Sequence, residues 1–293
     1  MSPVSPVSND GSHAQPPGAL SASDALGGLD FRQLTTPRRV AEGRYEIEIA
    51  DTWQQGRGAF GGLVLASLVR AIRSQEPDAD RSLRSLTATL PGPVQPGLVQ
   101  LRVDALRSGS GVSTLAAQLL QGGEVQAHAV AVLGRTRVTD RDRMLLTPPV
   151  LPPWRQVPVA PIRAPLAPVF TQHCEFRPTH GLPFSGQPGN PPTEGWVRLL
   201  NLGPTWEEAD VVATCDIYWP ALLVTEPVPR PMATIAFSLQ LLHPPQQLCP
   251  SAPLYFRGQT LAARDGYVVE QRELWTEDGT LVALNEQTLV LVK

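Results

Sequence analysis

Alternation of apolar and polar side chains is clearest at the end of the chain. Residues Tyr267 to Val292 read YVVEQRELWT, then EDG, then TLVALNEQTLVLV, two extended runs on either side of Asp278-Gly279. Asp-Gly between alternating runs favours a two-residue hairpin turn. In the second run Leu281, Ala283, Asn285, Gln287, Leu289 and Leu291 fall on one face. Gln287 is thereby set among apolar neighbours, where an amide must find hydrogen-bond partners or cost stability. The ordinary explanation of such a residue is a satisfied polar group of the core.

Upstream, Arg44 to Ile49 (RYEIEI) alternates as a strand with one wet face does, and Trp53 follows it. Leu63 to Ile72 is apolar almost all round, with charge only at Arg70 and Arg73 in the closing turns. Such a helix is wrapped by other elements and does not lie on a surface. Next come SLTATL, LVQLRVDALR, VSTLAAQLLQ and EVQAHAVAVLG, four antiparallel strands joined mostly by tight turns. The Pro-rich stretch 139–168 can continue neither a helix nor a central strand, and reads as a linker.

The pattern then recurs. Phe170 to Arg177 and Glu194 to Leu200 read as strands, Ala209 to Val224 as a short, mostly apolar helix, and MATIAFSLQLL, APLYFRGQTLAA and the closing hairpin as four more strands. A unit of strand, buried helix and four antiparallel strands is present twice. Laid together, LRSLTATL faces MATIAFSL and EVQAHAVAVLG faces TLVALNEQTLVLV, so Thr234 faces Ser85 and Gln287 faces Ala131. With alanine at the equivalent place, the fold does not itself require Gln287.

Gly56, Gly58 and Gly61 spell GxGxxG between a strand and a helix, with Asp78 and Asp80 further on, superficially a dinucleotide fingerprint. The strand before them carries Glu46 and Glu48 on one face, and hairpins follow the helix instead of another parallel unit. The glycines are better explained by close approach of a helix N-terminus to a neighbour.

Composition narrows the remaining classes. At 293 residues, 42% hydrophobic and 17% charged, the chain suffices for one large or two ordinary domains. A formal net charge of −3 and a pI near 6.0 provide no field to attract nucleic acid or anionic lipid. No apolar run approaches the roughly 18 to 20 residues of a membrane helix. Cys174, Cys215 and Cys249 are widely spaced and form no metal-ligand pattern, so they read as free thiols of a cytoplasmic protein, with no metal expected. The N-terminal stretch has neither the basic start nor the apolar run of a secretory signal, and its Ser, Pro, Gly and Ala cannot build a core. The expected organisation is a disordered tail at 1–29, one domain at 30–138, the linker at 139–168 and a second domain at 169–293. No GxSxG, HExxH or P-loop occurs, which leaves serine hydrolase, zincin and NTPase chemistry without support.

A long apolar helix wrapped by a curved antiparallel sheet is the hotdog arrangement, and two in one chain make a double hotdog of the α+β class. The order of elements, with AFGGLVLASLVRAI, GWVRLLNLGPTWEEADVVATCD, MATIAFSLQLLH and ELWTEDGTLVALNEQ, resembles the acyl-CoA thioesterase II type of double-hotdog enzymes over roughly residues 30–293. The resemblance implies hydrolysis of an acyl thioester, on CoA or on a carrier arm, by a water held between an Asp, a hydroxyl residue and a Gln, without a covalent intermediate. Matched motif by motif, these fall on Asp216, Thr234 and Gln287, with CoA entering only as part of the substrate. Asp216, expected near a helix start, would be the general base, and Thr234 and Gln287 would orient the water. Gly61 and Gly62, or the amides beside Asp216, would polarise the thioester carbonyl.

The sequence departs from the family pattern at Ala236 and Phe237, on a strand where an acidic residue two places after the Thr, a His and an aromatic are usual, and at Leu63, where a Gln is common. These changes make the expected cleft more apolar. With Ala131 and Ser85 in the first half, one active site per chain is expected, the first hotdog shaping the acyl pocket. Taken alone, Asp216 could be a helix N-cap and Thr234 an ordinary strand residue. His13, His128, His173, His180 and His243 show no metal spacing, and Trp196, Trp206, Trp219 and Trp275 read as core or interface anchors. Two other readings stay open: a hotdog hydratase or dehydratase acting on an enoyl or hydroxyacyl thioester, and a non-catalytic acyl-thioester binding protein. Pairing of chains through sheet edges into a homo-oligomer is compatible with the pattern.

Overall fold

The computed structural model describes residues 28–292. The expected tail lies outside them apart from Gly28 and Leu29, and Leu29 packs against the core. The first half contains α1 (Phe31–Thr35), β1 (Arg38–Ala41), β2 (Arg44–Ile49), the short β3 (Gln54–Gln55) and β4 (Gly58–Ala59), α2 (Gly61–Gln75), β5 (Ser82–Thr89), β6 (Gly97–Ser108), β7 (Val112–Gln121) and β8 (Glu124–Gly134). The second contains β9 (Cys174–His180), β10 (Thr193–Leu199), α3 (Glu208–Thr214), α4 (Leu222–Thr225), β11 (Met232–Leu241), β12 (Leu254–Arg264), β13 (Tyr267–Trp275) and β14 (Leu281–Leu291).

Twelve strands make one antiparallel sheet in the order β1-β2-β6-β7-β8-β5-β11-β14-β13-β12-β10-β9. Counted outward from the β5–β11 junction, both halves repeat one order, which is the duplication expected from the sequence. Four elements had no legible signal: the two-residue strands β3 and β4 are too short to alternate, and β1 and α1 lack a pattern for other reasons. Strand β1 is four residues, all exposed, so it has no inward face to alternate, and α1 is a single capped turn at Asp30.

The register corrects one equivalence. Each half bulges at the same place, between Leu83 and Ser85 against β8 and between Thr234 and Ala236 against β14. Beyond the bulge Leu86 stands opposite Ala131, as Phe237 stands opposite Gln287. Leu83, not Ser85, is therefore the counterpart of Thr234, while Ala131 remains that of Gln287. A slip of two residues keeps every side chain on its own face, so alternation alone could not detect it.

Helix α2 is the centre of the packing. Every residue from Gly62 to Ile72 is buried, as an all-round apolar helix requires. Its six large aliphatic side chains, Leu63, Val64, Leu65, Leu68, Val69 and Ile72, contribute on the order of 10 kcal/mol of gross hydrophobic stabilisation. The polar members are satisfied locally, Ser67 by the carbonyl of Leu63 at 2.9 Å. Arg70 donates to Asp210 Oδ1 at 2.7 Å and to Thr35 Oγ1 at 2.8 Å, and also pairs with Glu207. With Arg73–Glu208 (3.3 Å) and the Leu83 amide bonded to Glu208 Oε1 (2.7 Å), these contacts form an ionic lock between the halves at the C-terminal end of α2.

Three expected boundaries moved. The strand expected over Phe170–Arg177 runs from Cys174 to His180, because a 3-10 turn takes Val169–His173. The helix expected over Ala209–Val224 stops at Thr214; tight turns follow (Asp216 amide to Ala213 O, Ile217 amide to Thr214 O), and Pro220, with no amide to donate, separates α3 from the single turn α4. The stretch read as a linker is in part a strap. Trp154, Val157 and Leu151 pack on Trp196, Tyr255 and Trp275, and Trp196 Nε1 donates to Pro152 O at 2.9 Å.

Candidate active site

Opposite the ionic lock, the N-terminus of α2 meets the turn that follows α3. Asp216 sits on that turn, one residue past the C-cap Cys215. It is therefore not a helix N-cap, and lies at the end of its own helix and not near the start. The start of a helix does reach it from the other half: the Gly62 amide is directed at its carboxylate, and a Cβ on Gly61 would lie 2.7 Å from Asp216 Oδ2. The first-turn amides of α2, which have no partner in their own helix, thus face a carboxylate across the junction.

The same contact explains the GxGxxG spacing without a nucleotide. Gly56 turns the β3–β4 hairpin at φ +64°, and a Cβ on Gly58 would meet Pro93 Cβ at 2.8 Å. Gly61 makes room for Asp216.

Thr234, Gln287 and Asp216, from β11, β14 and the turn after α3, form one hydrogen-bonded chain. Thr234 Oγ1 donates to Gln287 Oε1 at 2.8 Å, and Gln287 Nε2 donates to Asp216 Oδ1 at 3.0 Å. Gln287 is fully buried and Asp216 nearly so, while Thr234 is half-buried, placing the open side of the group at the hydroxyl.

Three members of the cluster escaped the sequence reading. Asn285 Oδ1 accepts from Gln287 Nε2 at 3.1 Å, and its own amide donates to Ser238 O at 2.8 Å, which fixes the Gln287 side chain from behind. On β13, Arg272 Nη1 lies 3.6 Å from Asp216 Oδ1 and donates to Cys215 O at 3.0 Å. Its Nε donates to Glu270 Oε1 at 2.8 Å, and Glu270 Oε2 accepts the Ala221 amide at 2.6 Å. The signal that could have found this pair is that Glu270 and Arg272 share the face of Val268 and Leu274, two opposite charges on the buried side of a strand.

Burial dominates the electrostatics. It raises the Asp216 carboxyl above its ordinary range, against the opposing pull of Arg272, the Gln287 bond and the Gly62 amide; Glu270 adds to the rise. Glu270 is raised for the same reason, with Arg272 opposing. A carboxylate whose affinity for a proton is increased, and which is held by an amide that in turn accepts from the Thr234 hydroxyl, is equipped to take a proton from a bound water.

The duplicate half supplies an internal control. At the counterpart positions stand Leu83 for Thr234, Ala131 for Gln287, Ala129 for Asn285, and Leu115 and Ala117 for Glu270 and Arg272, all buried. The same backbone therefore folds with an apolar set, and the polar set is an addition to the fold. Of the departures noted in the sequence, Leu63 and Phe237 are buried and Ala236 is half-buried. His173 stacks on Trp53 at 4.3 Å with Nε2 against Thr52 O, and burial lowers its pKa. No histidine is among the hydrogen-bond partners of Asp216 in the described residues.

Two tandem units of this shape in one continuous antiparallel sheet define a double-hotdog protein. Residues 49–134 match the family model of the acyl-CoA thioesterase N-terminal domain, and residues 148–291 match that of its C-terminal domain. The chain belongs to the acyl-CoA thioesterase family, and is a thioester hydrolase by that membership. Among solved structures it is similar to a hotdog-fold protein of unknown function from Alicyclobacillus acidocaldarius (TM-score 0.81, 23% identity, covering 90% of this chain and 98% of that one). It is also similar to an acyl-CoA thioesterase II of Mycobacterium marinum (TM-score 0.69, 14% identity, 89% and 98% covered). A dehydratase domain from Pseudomonas fluorescens is a weaker likeness (TM-score 0.52, 12% identity, 89% and 98% covered). At these identities the likenesses establish the fold. No curated protein matches the sequence.

Proposed function

We propose that this chain hydrolyses an acyl-CoA thioester by direct attack of water, with Asp216 as general base and Thr234 and Gln287 orienting the water. The observation that carries the reading is the Thr234–Gln287–Asp216 chain, with bonds of 2.8 and 3.0 Å, where the duplicate half holds Leu83 and Ala131. In the reaction the water oxygen bonds to the acyl carbon as its proton passes to Asp216. The C–S bond then breaks, and the proton goes to the departing thiolate. Fixing the water between a base and two hydrogen-bonding groups supplies the geometric share of the rate. In this reading the positive N-terminal end of α2, at Gly61 and Gly62, would stabilise the charge that develops on the carbonyl oxygen.

No cofactor enters this scheme, since CoA arrives as part of the substrate. The apolar Leu63, Ala236 and Phe237 favour a hydrocarbon acyl group over a polar one. A hydratase or dehydratase reading lacks the histidine it needs beside Asp216. No helix among the described residues is long and apolar enough to cross a membrane; we place the enzyme in the cytoplasm on its three free cysteines. The test is free-thiol release from a panel of acyl-CoAs of increasing chain length, by wild type and Asp216→Asn. Turnover of at least one substrate that the variant lacks is the expected result. Equal background release from every substrate defeats the proposal and leaves a binding role.

A further inference from the structure

We propose that Arg272, braced by Glu270, is a positioning residue that fixes the orientation and the acidity of Asp216. The inference rests on the reading of Asp216 as the base. It starts from a cost: Arg272 and Glu270 are 1% and 0% exposed, and burying two charges is unfavourable unless they are paired and hydrogen-bonded. The duplicate half manages with Leu115 and Ala117 at the same places, so the sheet does not call for them.

What the pair holds is the turn carrying Asp216. Arg272 grips its first carbonyl, Cys215 O, at 3.0 Å, and Glu270 grips the Ala221 amide at its end, at 2.6 Å. Neither contact lies within a strand ladder or a helix. Both ends of the loop between α3 and α4 are thereby tied to β13, and Glu270 occupies the Arg272 Nε at 2.8 Å so that the guanidinium cannot swing away. The 3.6 Å from Arg272 Nη1 to Asp216 Oδ1 is an ion-pair distance, longer than a direct hydrogen bond. Arg272 therefore acts on Asp216 through charge and through the backbone, without a direct hydrogen bond to the carboxylate.

The groups facing Asp216 are Arg272 and Glu270 from β13, Gln287 with Asn285 behind it from β14, the Gly62 amide from α2, and its neighbour Cys215, whose thiol burial keeps protonated. Arg272 is the one cation of the set. Removing it raises the Asp216 pKa, and removing the Glu270 charge lowers it, so the two variants shift the acid limb of a pH–rate profile in opposite directions.

The experiment compares wild type, Arg272→Gln, Arg272→Lys and Glu270→Gln in the full chain. One readout is kcat/KM against pH on the best acyl-CoA of the panel. A second, which needs no turnover, is the Asp216 titration followed by carboxyl carbon NMR, assigned with Asp216→Asn. The acid limb and the Asp216 titration are expected to rise by about one to three pH units in Arg272→Gln. They should stay near wild type in Arg272→Lys, fall in Glu270→Gln, and leave KM within about twofold throughout. Variants that lose melting temperature while limb and titration stay in place overturn the proposal and reduce the pair to a brace. If Arg272→Gln does not fold, Arg272→Lys and Glu270→Gln still decide the direction. A wild type that titrates as described but turns over no thioester refutes the hydrolysis mechanism alone.

Discussion

The two ends of the α2–α3 pair are predicted to respond oppositely to mutation, and Arg70→Met isolates the structural end. Arg70 is 8% exposed and bonds Asp210, which is fully buried, at 2.7 Å; it also bonds Thr35 at 2.8 Å and pairs with Glu207. Glu207 is partly exposed and keeps Arg32 at 3.0 Å, so it loses little. Asp210 loses its one strong counter-charge inside the protein, a change that typically costs about 3–5 kcal/mol. Thr35 adds about 1 kcal/mol for a lost hydrogen bond. The sum corresponds to a fall in melting temperature on the order of ten degrees or more. The penalty belongs to an unpaired carboxylate, so it should shrink at pH 5, where Asp210 takes up a proton, and be full at pH 8. Arg70→Met with Asp210→Leu should recover most of the loss. Thermal melts at both pH values, alongside kcat/KM at a temperature where every variant is folded, test this. A variant that melts within a degree or two of wild type refutes the reasoning, as does one that loses kcat/KM while keeping its stability.

Other predictions concern the site and its acidity. Asp216→Asn should lose about a hundredfold or more in kcat, the scale of general-base catalysis, and melt at or above wild type at pH 8, because a carboxyl whose pKa burial raises destabilises the fold when ionised; calorimetry and thiol release check the pair. Gly61→Ala places a methyl 2.7 Å from Asp216 Oδ2 and should lower kcat with little change in melting. Gly62→Ala, whose Cβ would lie 2.4 Å from the Phe60 ring and 2.8 Å from Ala213 O, should cost stability first. Burial pushes Asp210 up to about 7 against the pull of Arg70, so its proton is held more tightly folded than unfolded. Its contribution to stability is complete at low pH and declines as pH rises from the ordinary carboxylate range through about 7, and Asp210→Asn should flatten that part of a urea-melt pH series.

Each pattern in the sequence encodes one physical property, and that property decides which elements it reveals. The strands with one buried face were legible because alternation records burial, as in RYEIEI, where Tyr45, Ile47 and Ile49 are all buried. Helix α2 was legible because an unbroken apolar helix has nowhere to lie but inside. Alternation has a period of two, so it could not separate Leu83 from Ser85 as the partner of Thr234; only the bulges in β5 and β11 do. It also carried the helix through Asp216 to Val224, since turns such as that at Asp216 leave no mark on an apolar run. Gln287 was found because an amide stood out on an apolar face, and Asn285 lay on the same face unassigned. Glu270 and Arg272 were passed over because a charged pair in VVEQRE reads first as a wet face, and only the fold shows that face turned inward.

The proposed role of Gln287 in catalysis rests on Ala131, which shows that the counterpart strand folds without an amide there. The direct measurement is the rate of free-thiol release by Gln287→Ala beside wild type, on an acyl-CoA that wild type hydrolyses, with melting curves for both. A fall of about a hundredfold or more in kcat is expected, with a variant that still folds cooperatively. A folded Gln287→Ala that releases thiol at the wild-type rate contradicts it.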